Sequence, residues 1–220
     1  DDGAVNITGI NGGWAGNRVP YEYVAKWFTD VKGQNYETGE YQYTDKRAGY
    51  FYIKGRTESM EGNLNTFLNG WSCIKFNNVP HDVDAVDYAA TAATKNFSDI
   101  DWPLIRLGEI HLIYAEACLH AGGNASAQIA ALAERAGVAA PATIDAEWLM
   151  AERARELMWE AHRRTDLIRY GKWISGYNWT YKGGNFGGQD LPSHFNVFPV
   201  PSTELATNLE LQQNPGYARP

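Results

Sequence analysis

No run of apolar residues in this chain approaches the length that crosses a bilayer as a helix. Basic charge is also scarce. Nineteen Lys and Arg stand against 26 Asp and Glu, and a net charge of −7 without a basic stripe argues against nucleic acid as a partner. Two cysteines, Cys73 and Cys118, are too few for a disulfide framework. Cys118 falls inside a helical pattern, where a buried thiol is the usual outcome, and sequence leaves its pairing with Cys73 open. The five histidines form neither HxxxH nor HExxH, and no Glu has a His three residues later, so zinc and di-metal bundle sites lack their ligands. GxSxG, Walker and GxGxxG patterns are missing, which removes the common signatures of acyl transfer, nucleotide binding and dinucleotide cofactors. The expectation is a chain with no cofactor, no metal and no assignable catalytic residue.

What is present is aromatic. The chain has 8 Trp and 13 Tyr, and eight of the tyrosines precede residue 100. Large aromatics fill ordinary cores, but exposed ones also stack on sugar rings. Residues 1–97 are rich in Gly, Asn and Tyr and lack helical periodicity. Short strands are expected at Tyr50–Ile53 and Cys73–Phe76, and a short helix near Tyr21–Asp30. Within this segment Trp14 sits among glycines, with Asn17, Arg18 and Tyr21 close behind. A flat ring beside amide and guanidinium donors suits a sugar, which offers C–H surface on one side and hydroxyls on the other. Trp14, Asn17, Arg18, Tyr21 and, more weakly, Trp71 are the candidate ligand-binding residues. The competing role for Trp14 is to pin its loop onto the helices.

Residues 98–220 change character. Leu104, Leu107, Ile110, Tyr114, Ala117 and Ala121 recur at steps of three or four and predict a helix over 102–121, with Pro103 in its first turn and Gly122-Gly123 at its end. A second helix is expected over 125–136, capped by Asn124 and stopped by Gly137. Helix, turn, helix is the unit of tetratricopeptide-like arrays. A third is expected as one piece over 144–170, with Met150, Ala154, Leu157, Met158, Ala161, Thr165 and Ile168 along one face. Its Glu152, Glu156 and Glu160 look like a solvated charged face, with pairs such as Glu152–Arg155 and Glu160–Arg164. The ending carries Pro199, Pro201 and Pro215, which rule out regular helix nearby.

Three ordered segments resemble the SusD/RagB family. They are Asp99–Ala117, with Asp101, Pro103, Arg106 and Tyr-Ala-Glu-Ala at Tyr114–Ala117; Glu152–Arg169, patterned ER..EL..E...R..D..R; and the Pro-x-Pro and Gln-Asn-Pro-Gly-Tyr ending, Pro199, Pro201 and Gln213–Tyr217. The resemblance runs from about Asp45 to Tyr217. It implies a mostly α fold, with tetratricopeptide-like helical pairs, extensive irregular loops and a few short strands. It implies that the carboxylates of the third helix form an internal salt-bridge network, and that Arg163, Asp166 and Arg169 tie that helix to the tail. Functionally it implies a non-catalytic surface protein that captures oligosaccharide and passes it to a SusC-like TonB-dependent outer-membrane transporter. A peptide ligand in the RagB manner, an all-α glycan-degrading enzyme and a protein-binding adaptor are the alternatives. The family is longer, so the resemblance also implies a missing N-terminal portion and a lipid anchor on an upstream Cys at the extracellular face of the outer membrane. The 102–121 helix would then expose an apolar face that the full protein covers. Residues 1–97 are expected to be the ligand-binding segment, and 98–220 the helical region with its Pro-rich tail.

Overall fold

A computed structural model describes residues 8–11, 16–62 and 64–218. By internal contacts the chain forms two compact units, Asp1–Ala161 and His162–Pro220. Seven α-helices and five short strands are present among the described residues.

The first unit begins with β1 (Arg18–Val19) and α1 (Tyr21–Trp27). A two-stranded ribbon follows, β2 (Lys32–Asn35) with β3 (Glu40–Gln42). A 3-10 turn, Lys46–Tyr50, leads into β4 (Phe51–Tyr52). Strand β5 (Trp71–Cys73) lies between β1 and β4, antiparallel to both, with Val19 opposite Trp71 and Phe51 opposite Cys73. The sheet is small because its strands are too short to bury a face alone. Aromatics supply that burial. Trp71 is 0 % exposed, with the rings of Tyr21, Tyr41, Phe51 and Tyr36 at 5.0–6.3 Å. Its indole N–H donates to the Tyr36 hydroxyl at 3.2 Å, so the buried polar atom is satisfied.

The helical half of this unit has α2 (Ala85–Ala92), α3 (Leu107–Ala121), α4 (Ser126–Ala136) and α5 (Ala146–Glu156). Glycines end α3 and α4 as expected: Gly122 and Gly137 both sit at φ 76°, a region costly for residues with a Cβ. Asn124 accepts from the Ser126 amide at 2.9 Å, and Asp145 from the Trp148 amide at 2.8 Å. The core between the helices is Leu112, Ala115, Ile129, Leu132, Leu149 and Leu157.

Three expectations fail here for physical reasons. Helix α3 starts at Leu107, not Trp102, since Arg106 is extended (φ −141°, ψ 158°) and spends its guanidinium on α5. Its periodic face, moreover, is the one left outside. Leu104 is 83 % and Leu107 68 % exposed, and Ile110 and Tyr114 are exposed too, whereas Gly108, Leu112 and Ala115 face the core. The third correction concerns the helix expected over 144–170. It stops at Glu156 and resumes as α6 (Arg163–Arg169), with Trp159 (φ 61°) and Ala161 (φ 63°) left-handed between. No Gly or Pro marks the stop. Side chains distant in sequence make it: Arg106 NH2 donates to the Glu156 carbonyl at 2.7 Å, and Lys75 Nζ donates to the carbonyls of Glu156 and Met158, each at 2.9 Å. Cations on the last carbonyls of a helix satisfy the groups it leaves open.

The carboxylates of α5 are likewise buried rather than solvated. Arg47 bridges Asp45 (2.7 Å), Glu152 (2.6 Å) and Glu156 (3.1 Å). Arg106 holds Glu156 (2.6 Å) and Glu160 (2.5 Å), Arg135 also reaches Glu156, Lys75 reaches Glu160, and Arg155 pairs with Glu152 (2.7 Å). Glu160, expected on a solvated face, is thus held by Arg106 and Lys75. Gly108 gives the network room, because a Cβ there would lie 2.6 Å from Glu156 Oε1. Burial alone would raise the Glu156 carboxyl, yet hydrogen bonds and charge from Arg106 and Arg135 hold it down to about 2. The internal salt-bridge network is therefore present. Both cysteines are free thiols, and burial pushes Cys73 up to about 11.

The second unit is α6 with a loop-built tail. Arg163 lies over Tyr177 (5.0 Å), and Asp166 pairs with Arg169 (3.0 Å). Trp173 stacks on Trp179 at 5.2 Å. Pro199 and Pro201 leave only the Val200 N–H between them, and the Gln213 side chain takes it: Val200 N–H donates to Oε1 (2.7 Å), and Nε2 donates to the Val200 carbonyl (3.0 Å). Asn214 donates to Phe198 O (2.7 Å) and the Tyr217 hydroxyl to Val197 O (2.8 Å). Contrary to expectation, the prolines do not exclude helix here: helix α7 (Ser202–Thr207) starts directly after Pro201, whose missing N–H falls outside the helix at its N-cap, and this clasp encloses it in sequence.

Candidate functional site

The sequence places its sugar-binding candidates around β1, and the structure divides them. Trp14 lies outside the described residues. Asn17 is exposed at the sheet edge, where its carbonyl accepts from the Cys73 amide at 2.8 Å. Tyr21 is half-buried, with its ring against Trp71 and its amide donating to Glu58 O. Trp71 does not fit the weaker role suggested for it, since it is fully enclosed and offers no face to a ligand. Strand pairing on both sides and four aromatic neighbours make it the centre of the small sheet's core.

Arg18 acts on the chain itself. Its NH1 donates to the carbonyls of Thr66 (2.6 Å) and Asn69 (2.9 Å), and its NH2 to that of Leu64. Arg56, buried beneath, donates to the Phe67 carbonyl at 2.5 Å. Burial, and for Arg18 also the charge of Arg56, lowers both guanidiniums from their ordinary value. Two arginines thus hold the loop 64–69 by four of its carbonyls, each bond charge-assisted.

The loop so fixed projects apolar surface. Phe67 is 46 % exposed, with Leu64 and Leu68 beside it and the Arg18 guanidinium 5.3 Å from the Phe67 ring. Tyr36 donates to Glu58 at 2.9 Å. The result is a held loop that exposes the Phe67 ring, with Leu64 and Leu68 also exposed and the Arg18 guanidinium close by, able to hold a sugar ring by its face. Sequence reasoning missed Phe67. The segment Leu64-Asn65-Thr66-Phe67-Leu68-Asn69 has no helical or strand period, and its one signal is an aromatic within an Asn-rich loop. Among the described residues no three His, Cys, Asp or Glu side chains converge as metal ligands, and no helix is long and apolar enough to cross a membrane.

Comparison with known proteins gives a consistent picture. A profile of the SusD family matches residues 17–217. The "Starch-binding protein SusD" of Bacteroides thetaiotaomicron is 34% identical over 165 residues, covering 74% of this chain and 29% of that protein. A crystal structure of a SusD superfamily protein from Parabacteroides distasonis superposes with a TM-score of 0.50 at 23% identity, over 85% of this chain and 42% of that one. A SusD-like protein from Bacteroides fragilis gives 0.51 at 20% identity, over 76% and 34%. The mostly helical fold with few short strands is shared with both. The chain thus spans well under half the length of the relatives it matches.

Proposed function

This chain belongs to the SusD family, and on that premise we propose that it is part of a surface glycan-binding protein that captures oligosaccharide without cleaving it. The observation that carries the reading is the loop 64–69, fixed from below by Arg18 and Arg56 and displaying Phe67. A loop ordered before the ligand arrives loses little freedom on binding, which matters for a shallow sugar site where each contact replaces one to water. The starch-binding name of the relative from Bacteroides thetaiotaomicron agrees with a glycan ligand. Asn17 and Tyr21 are proposed as further ligand-binding residues, with Arg18 in a positioning role, and Trp14, which lies outside the described residues, is proposed with them on its chemistry alone. Residues 1–97 are the segment to which binding is assigned.

The same premise leads us to place the protein at the extracellular face of the outer membrane, lipid-anchored, with a SusC-like TonB-dependent transporter as recipient of the glycan. The exposed stripe of α3, Leu107, Ile110 and Tyr114, is assigned to packing against an N-terminal portion of the same protein.

Calorimetry with maltooligosaccharides and other soluble plant and host glycans tests the reading. Binding in the micromolar to millimolar range is expected, weakened about fivefold or more by Phe67→Ala or Trp14→Ala, with no shorter sugars accumulating. Release of shorter sugars would replace capture by hydrolysis. Binding of peptides and of no glycan would move the ligand class.

A further inference from the structure

A cavity of about 260 Å³ opens in the first unit, between the end of α1, the segment carrying Asp45 and Arg47, and helices α4 and α5. It is separate in sequence and in residues from the loop 64–69. Trp27 and Trp148 contribute indole surface, Asp30 and Arg155 contribute polar groups, and Thr29 and Ala139 stand exposed among the lining residues.

The charges around it are largely committed to one another. Arg47 gives Nε and NH2 to Asp45 (2.9 and 2.7 Å) and NH1 to Glu152 and Glu156 (2.6 and 3.1 Å). Arg155 gives Nε and NH2 to Glu152 (2.8 and 2.7 Å), while its NH1 makes a long 3.4 Å contact to the Trp27 carbonyl. That edge of Arg155 is the weakly used donor of the lining. The Asp30 carboxylate accepts from the Thr44 amide at 2.5 Å, and despite its partial burial, hydrogen bonds from Thr44 and from the Asp30 and Asp45 amides hold its pKa below the ordinary value, so it stands in the lining as an ionised acceptor. An anion placed here would meet Asp30, Asp45 and Glu152. A cation would meet Arg47 and Arg155. Neither sign is selected, whereas a neutral ring with hydroxyls meets one donor, one acceptor and apolar indole surface.

From this balance we propose that the cavity is a second ligand site, which takes a single neutral hydroxylated ring, of which a pyranose is the representative. Its volume lies below the roughly 300–1,000 Å³ of pockets for drug-sized ligands, so it admits one ring rather than an oligosaccharide. The indoles cover a C–H face, Arg155 donates to a ring hydroxyl, and Asp30 accepts from another. The choice of a sugar among neutral polyols rests on the glycan reading above.

The test uses the 220-residue chain labelled with 5-fluorotryptophan, with the Trp27 and Trp148 resonances assigned by Trp27→Phe and Trp148→Phe. Glucose, galactose, mannose and xylose are titrated singly through the millimolar range. The expected result is a saturable shift of both resonances by at least one sugar. Affinity should fall about tenfold or more in Ala139→Tyr and in Thr29→Tyr, two exposed plugs that remove no core side chain. Silence of both resonances, linear shifts without saturation, or shifts that survive both plugs would overturn the proposal. Oligosaccharide binding sensitive to Phe67→Ala alongside a silent cavity would sink the second site alone. A responsive cavity without oligosaccharide binding would sink the surface reading alone.

Discussion

Helices α3 and α5 pack against each other, yet they depart from the usual inside and outside in opposite directions. Helix α5 turns Glu152 and Glu156 inward, and Glu156 is 2 % exposed. Helix α3 turns Leu107, Ile110 and Tyr114 outward. The difference teaches that a helical period fixes which residues share a face, while the medium on that face is set by neighbours far away in sequence. For α5 those neighbours are Arg47, Arg106 and Arg135, delivered from three separate segments. For α3 the outward face meets no element among the described residues that covers these side chains.

The comparison is broken most severely by removing Glu156. Glu156→Ala leaves Arg47, Arg106 and Arg135 without a shared buried anion, and a loss of about 3–5 kcal/mol is expected in urea unfolding. A loss under about 1 kcal/mol would mean that the network is solvated after all. Acid attacks the same point less severely, because a protonated carboxyl still accepts hydrogen bonds. The folded pKa of Glu156 is depressed to about 2, so its contribution is complete above the ordinary carboxylate value and drains away as pH falls from about 4.5 toward 2. Thermal midpoints recorded across that interval should fall steadily, and the slope should flatten in Glu156→Gln.

Gly108→Ala ranks next. On an exposed helix this change stabilises by up to about 1 kcal/mol, but here the new methyl would crowd Glu156 and Arg106, so about 1–3 kcal/mol of destabilisation is expected from the same unfolding curves. The smallest effect belongs to α3. Leu107→Lys with Ile110→Lys should alter the unfolding free energy by less than about 1 kcal/mol while lowering the fluorescence of a bound hydrophobic dye and any self-association in sedimentation. A large loss of stability would show that this face already has a partner within the chain.

Much of the helical half was legible in residues. Gly122, Asn124, Gly137 and Asp145 mark helix ends by local chemistry, and each stands where its side chain or its φ requires. The stop at Glu156 was not legible, because Lys75 and Arg106 make it across 50 residues or more. The candidate surface divides in the same manner. The chemistry of Arg18 is visible in the sequence, but its obligation to the carbonyls of Leu64, Thr66 and Asn69 is a tertiary fact. In the sequence Trp71 is an aromatic near a strand, and only the antiparallel pairing of β5 on both edges shows why it is enclosed.

The clasp near the C-terminus carries a chemical liability. Gln213 works because one planar amide presents an acceptor to the Val200 N–H and a donor to the Val200 carbonyl. Deamidation would turn it into a glutamate, which has a second acceptor where the donor stood and a charge facing a carbonyl oxygen. Conversion of this single side chain would undo the pairing with Val200 and leave Asn214 and Tyr217 to hold the segment, so a Gln213→Glu variant should become more open to proteases near Val200 than the parent chain.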